Sequence, residues 1–457
     1  MKLSLKKIKK ILLSSAFGLA TLTLASCAPS ISSVGIGVYQ LWAKYNSLDS
    51  YITNNSSNAL KWISQRTISL AFELKNKSTN KAVYEFGTAW IYAKEANQGS
   101  NDFSYYLATN MHVLSNLNSL NNTTTRYEVS KNGIKTELPQ YELQSIYFNF
   151  ISDDNVSSLN RNNDGSLDYL WSDGTLIDTT YIKLETKDVS IAYTAIGNNL
   201  VANSSSLYVN PYTNSQITNP SIDFGLIKID FSNVKDQKNK DSANNNDDYI
   251  TVENFLKTYD SNPTKFKSSN QIDYSETFYM GGFPEASLSW KPNRNSAWIG
   301  LTNIKLSEEN EFVALAYDNT IDYIDLSSPM GPMPEVGSID YVTRQSNGNN
   351  NIDANWYRNV AKELIIGAGN LGGGASGSMF ISQDSNGQFA VLGIYWGIYG
   401  YSMTSGISYS YGVVDLLKAD SYSYTIEERG IKYNYTFPSY NVLDSIKTQL
   451  NITPTYI

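Results

Sequence analysis

The chain of 457 residues has one cysteine, Cys27, and one histidine, His112. A single cysteine excludes an internal disulfide and any cluster that needs several thiolates. A single histidine leaves one imidazole for proton exchange near neutral pH. Charge is sparse too, at 17% of residues, and acids outnumber bases by 43 to 35. The net charge of −8 argues against nucleic acid as a partner, because a phosphate backbone is held by excess Lys and Arg. After residue 26 no run is long and apolar enough to span a bilayer. Tyr is plentiful, with 34 residues, and Asn and Ser are common. That composition favours β structure joined by long polar loops.

Residues 1–26 have the pattern of a targeting segment. Lys2, Lys6, Lys7, Lys9 and Lys10 form a basic stretch, followed by the apolar Ile11 to Leu24. The segment ends Leu24-Ala25-Ser26-Cys27, which resembles a bacterial lipobox, so Cys27 is expected to become a lipidated first residue. Loss of the five lysines would take the net charge to −13. Residues 27–60, rich in Ser and Asn with a short helical pattern from Val38 to Tyr45, read as a tether. The expected location is the outer face of the cell membrane, anchored by lipid.

The chemistry concentrates in Gly367 to Gly400. Gly372 to Ser378 is a run of Gly, Ala and Ser only, with Ser376 near its centre. A nucleophilic hydroxyl needs such a stripped turn, because backbone N–H groups must crowd the oxygen that develops charge. Ser378 to Ser382 and Phe389 to Trp396 read as strands around the turn Gln383 to Gly387. The stretch also satisfies G-x-G-x-x-G at Gly367, Gly369 and Gly372, but that dinucleotide motif must open a helix, and the next run is β-like. Asn160 to Asp168 imitates a calcium loop, yet it lacks the first Asp and has Trp171 where the closing Glu belongs. No metal and no cofactor are therefore expected.

A serine nucleophile needs a base, and His112 lies in Leu107 to Leu114, 264 residues before Ser376. The α/β-hydrolase order, serine before histidine, is excluded, and Ser378 takes the place of the last Gly of G-x-S-x-G. The orienting acid would be Asp223, at the start of the apolar run Asp223 to Ile229 with Gly225 two positions on. Asp188, heading the weaker Asp188 to Ala192, is the second choice. The order His, Asp, Ser is the chymotrypsin one.

Five stretches in order resemble the mycoplasma immunoglobulin protease family, lipoproteins with a trypsin-like serine protease core. They are Gly87 to Ile91, Ala108 to Val113, Asp223 to Asp230, Phe278 to Pro284, and Gly372 to Met379 with Gly393 to Tyr395. The resemblance implies an all-β fold, a trypsin-like double β-barrel with inserted loops and a few short helices. Residues 61–235 would form the first barrel with His112 and Asp223, and 236–273 the crossover. Residues 274–457 would form the second barrel with Ser376 and a C-terminal tail. Catalysis would rest on His112, Asp223 and Ser376, with the N–H groups of Gly374 and Ser376 as the oxyanion hole. Tyr395, Trp396 and Gly397 would hold an extended substrate by β-addition. Asn370, at the base of the specificity pocket, is uncharged, so a strong preference for Lys or Arg is not expected. Ala375 replaces the aspartate through which many trypsin relatives are switched on by a new N-terminus. The substrate implied is host protein, immunoglobulin heavy chain in particular, presented by a separate immunoglobulin-binding surface protein. The alternative is a protease-like module that captures host protein without cutting it.

The anchor is directly testable. Cys27→Ser should move the protein from the membrane fraction to the soluble one without altering its fold, as read by fractionation and circular dichroism. Retention of the variant on membranes through high-salt washing would contradict it.

Overall fold

The computed structural model describes residues 54–96, 102–114, 117, 127–129, 135–137, 141–150, 182–200, 220–238, 250–283, 300–304, 311–313, 345–347, 351–353, 358–359, 361–367, 374–402, 408–428 and 431–457. Cys27, the Val38 to Tyr45 pattern, the calcium-like Asn160 to Asp168 and Asn370 lie outside them. The described residues are mostly β-strand with a few short helices.

The chain enters through helix α1, Asn54–Ser64. Ala59, Trp62 and Ile63 recur at helical spacing and are all buried. Residues 54–60, expected as the end of a tether, are thus the first turns of a packed helix. Arg66 lies just beyond it, fully buried, with its guanidinium 3.6 Å from the Trp62 ring centre and Nε donating to Trp62 O. Burial lowers its pKa to about 9.

Eight strands make the first sheet: β1 Thr67–Asn76, β2 Ala82–Lys94, β3 Ser104–Thr109, β4 Tyr141–Asn149, β5 Ile182–Leu184, β6 Val189–Ile196, β7 Pro220–Asp230 and β12 Arg358–Asn359. Their order is β12-β7-β3-β2-β1-β4-β5, with β6 also paired to β7. In chain order the two sheets are separated by helix α3, Val252–Ser261, capped by Thr251, whose side chain accepts from Asn254 N. It buries Val252, Phe255, Leu256 and Tyr259, with Phe255 stacked 4.5 Å from Phe150.

Nine strands make the second sheet: β8 Lys265–Phe266, β9 Thr277–Gly282, β10 Gly300–Ile304, β11 Glu311–Val313, β13 Lys362–Gly367, β14 Met379–Gln383, β15 Phe389–Ser402, β16 Ser408–Leu416 and β17 Thr455–Tyr456. The order is β10-β9-β14-β15-β16-β13-β11, with β8 bridging β15 and β17. Among the described residues no strand pairing closes either sheet on itself. Helix α4, Val442–Leu450, begins at Asn441, whose side chain accepts from Leu443 N and Asp444 N. It lies across the join, with Ser445 bonded to Asn199 O of the first half.

One apolar cluster spans both sheets. Trp90, Phe224 and Tyr193 of the first meet Tyr279, Met379, Ile381 and Ile394 of the second, and Trp62 of α1 lies 5.8 Å from Phe389. Apolar content sets the strand boundaries. Val189–Ile196 and Thr277–Gly282 coincide with apolar, β-type runs of the sequence, and the helix Val442–Leu450 with apolar residues at helical spacing. The strand carrying Asp223 differs, because it starts at Pro220 and places Asp223 inside it. Proline is tolerated as the first residue of a strand, so it does not end the run.

Trp90 centres this cluster, fully buried and ringed by Tyr92, Phe224 and Phe266 at 6.2 to 6.5 Å. Trp90→Ala should cost about 3–5 kcal/mol, read from the midpoint of urea unfolding. Trp90→Phe should cost much less, since the indole Nε1 has no acceptor among the described residues. Equal losses from the two variants would contradict this packing role.

Candidate active site

His112 sits in α2, Met111–Leu114, a single turn directly after β3, and all four of its residues are buried. The turn lies on β7 because residue 225 is glycine: a Cβ there would come within 2.4 Å of Leu114 Cδ1 and 2.8 Å of Tyr193 O. Asp223, two residues earlier on the same strand, is fully buried. Its Oδ2 lies 2.6 Å from His112 Nδ1, and its Oδ1 accepts from the His112 backbone N–H at 3.1 Å. Asn110 adds a third tie, donating from Nδ2 to Asp223 O at 2.6 Å. A buried carboxylate is tolerable only with such donors. An imidazole held this way keeps its proton on Nδ1 and presents Nε2 as a base.

Ser376 lies in the turn Gly374 to Ser378, before β14. The turn is bound to the first sheet by Thr88 of β2. Thr88 N donates to Ser376 O at 2.8 Å, and Thr88 Oγ1 donates to Gly374 O at 3.2 Å and accepts from Phe283 N at 2.9 Å. Thr109, three residues before His112, donates from Oγ1 to Thr88 O at 2.7 Å. Gly377 fills the gap between them. With φ +96° and a would-be Cβ 1.9 Å from Thr88 O and 2.5 Å from Thr109 Oγ1, no other residue fits. The serine turn is therefore packed against the strand end that leads to His112. Ala375 is fully buried in an apolar cluster with Phe278, Phe380 and Tyr395, a place where a carboxylate would be costly.

The strand expected to hold substrate is tied to the same turn. Gly377 N donates to Tyr395 O and Tyr395 N to Ser378 O, each at 2.9 Å. Ser376 Oγ donates to Trp396 O at 3.3 Å. The ladder between β14 and β15 ends at Ile394, and a bulge in the pairing with β16 falls between Tyr395 and Gly397. Tyr395 is buried, whereas Trp396 is partly exposed.

His112 and Asp223 are thus paired on the first sheet, Gly374, Ser376, Tyr395 and Trp396 are linked around the start of β14 with Gly397 next on β15, and Thr88 and Thr109 tie that turn to the first sheet. Asp188 does not join them: it ends the 3-10 turn Thr186–Asp188 and accepts from Asn233 Nδ2. After Gly374 the chain passes through turns into β14, not into the helix a dinucleotide motif needs. Among the described residues no three His, Cys, Asp or Glu cluster to hold a metal, and no helix is long and apolar enough to cross a membrane.

Sequence reasoning missed the role of Thr88, although its segment Gly87 to Ile91 stood out. It also missed two acids, Glu363 and Asp415, both fully buried. Asp415 Oδ2 accepts from Asp223 N at 3.1 Å, and Glu363 Oε1 accepts from Trp396 Nε1 at 3.2 Å. The available signal was an acid inside an apolar run, Val413-Val414-Asp415-Leu416-Leu417.

Thr88→Val keeps the shape of the side chain but removes the hydroxyl that links Phe283 N to Gly374 O. It should cost about 1–3 kcal/mol in urea unfolding, while Thr88→Ser stays within a few tenths. A valine variant as stable as the parent would show that the hydroxyl does not hold the turn.

A family model described as Mycoplasma immunoglobulin protease matches residues 57–397. No curated protein matches the chain. The matched residues take in most of α1, the whole first sheet, and the second sheet as far as Gly397, with His112, Asp223 and Ser376 among them. The chain therefore belongs to the Mycoplasma immunoglobulin protease family.

Proposed function

We propose that this protein is a serine endopeptidase of trypsin-like mechanism, with the two sheets as the two barrels of a trypsin-like fold. The observation that carries the reading is the buried His112–Asp223 pair on the first sheet, with the Ser376 turn bonded to Thr88 of the same sheet. His112 accepts the Ser376 proton at Nε2 as Oγ leaves Trp396 O and attacks a peptide carbonyl. Asp223 holds the tautomer and stabilises the imidazolium, and the proton then passes from Nε2 to the leaving amine. The N–H groups of Gly374 and Ser376 receive the oxyanion. The substrate chain lies along Trp396 and Gly397, where β15 has left its β14 partner.

The substrate we propose is host immunoglobulin heavy chain, following the family's name, with a separate immunoglobulin-binding surface protein to present it. The lipid on Cys27 would hold the enzyme at the outer face of the membrane. Two features favour an enzyme that needs no N-terminal trimming. Ala375 leaves no acid to receive a new amine, and Thr88 already ties the Gly374 to Ser376 turn to the first sheet.

Incubation of the protein with intact immunoglobulin, with and without the presenting partner, should give heavy-chain fragments. Ser376→Ala and His112→Ala should each lower turnover at least about 10³-fold, and the double variant should be no worse, because the residues act as a unit. Asp223→Asn should cost about 10⁴-fold through the wrong histidine tautomer. Binding without any fragment from the parent protein would favour the capturing module instead. A strict requirement for Lys or Arg before the scissile bond would contradict the uncharged pocket assigned to Asn370.

A further inference from the structure

Glu363 and Asp415 are register partners on β13 and β16, and both residues are fully buried. Two carboxyls set opposite each other in a dry site disfavour double ionisation, which leaves a proton for the pair to share. Each reaches out to a different part of the site. Asp415 accepts the backbone N–H of Asp223 across the join between the sheets. Glu363 accepts the indole N–H of Trp396 on the strand beside Ser376. The pair is therefore a bridge, with the acid that orients His112 at one end and the substrate-side strand at the other.

We propose that Glu363 and Asp415 act as one acid pair that positions both Asp223 and Trp396, and so sets the register of an extended peptide against Ser376. This rests on the reading of Ser376 as the nucleophile. Asp415 acts through Asp223, and Glu363 through Trp396; neither touches the reacting atoms.

The pair also has a pH signature of its own. Burial first, and Asp415 next, push the Glu363 carboxyl well above its ordinary 4.5. The groups around it come from each neighbouring strand. They are Asp415 on β16, Trp396 on β15, and Asp223 with its His112 partner beyond Asp415. Its register partner on β11 is Phe312, which does not titrate. The folded chain keeps the proton where the unfolded chain has lost it. The folded state then binds more protons than the unfolded one, so stability falls as pH rises above about 4.5 and levels off above the raised pKa. A glutamine at 363 cannot ionise, yet it can still donate to Asp415 and accept from Trp396.

Thermal unfolding of the full chain between pH 4.5 and 8.5 reads this directly. The parent's midpoint should fall at least about 3 °C further across that range than that of Glu363→Gln. Peptide hydrolysis reads the positioning. Asp415→Ala should lower kcat about tenfold, with Asp415→Asn recovering most of it. Glu363→Ala should raise KM for extended peptides about tenfold, with Glu363→Gln restoring it. Parallel pH traces for the parent and Glu363→Gln would overturn the shared proton. Folded alanine variants with the parent's kcat and KM would overturn the positioning role. If the parent shows no turnover at all, the serine protease reading fails, and the pH traces still decide the pair.

Discussion

Burial of the Asp223 carboxylate is the constraint on which the rest of the site depends. An acid with no solvent exposure is tolerable only when donors surround it, and here they come from His112 twice and, around its backbone, from Asn110. Satisfying that group fixes the short α2 turn on β7, and the fit in turn demands a glycine at 225. Because the Asp223 backbone N–H is spent on Asp415, the same residue also joins the two sheets. Removing one partner would strand a buried charge, which costs far more than the pair contributes.

A second set of bonds brings the serine turn to that node. Thr88 meets Ser376 O, Gly374 O and Phe283 N within one residue, and Thr109 closes the group from the strand that leads to His112. These are short, directional contacts between elements far apart in sequence. They preorganise a turn whose small residues give it little packing of its own. The apolar surroundings of Ala375 work in the same direction, because they pack against the middle of that turn.

How much of this was legible in the sequence depends on the kind of signal each part leaves. Strands such as Val189–Ile196 announce themselves by apolar content, and helix α4 by its asparagine cap and spaced apolar residues. The single histidine and the Gly-rich serine run could be picked out because each is rare in this chain. The position of Asp223 within its strand was misjudged, because Pro220 resembles a turn residue until the pairing around it is known. The contacts of Thr88, Glu363 and Asp415 were not legible, since their partners lie roughly 30 to 290 residues away. The first turns of α1 also read as linker until Trp62 is seen against Phe389.

The central claim is that His112 makes the Ser376 hydroxyl a nucleophile. It is tested most directly by treating the protein with a serine-directed phosphonate and locating the adduct by mass spectrometry. The account predicts one adduct per chain, on Ser376, formed much more slowly in His112→Ala. Failure of the parent to form an adduct on Ser376, or labelling at an equal rate without the imidazole, would contradict it.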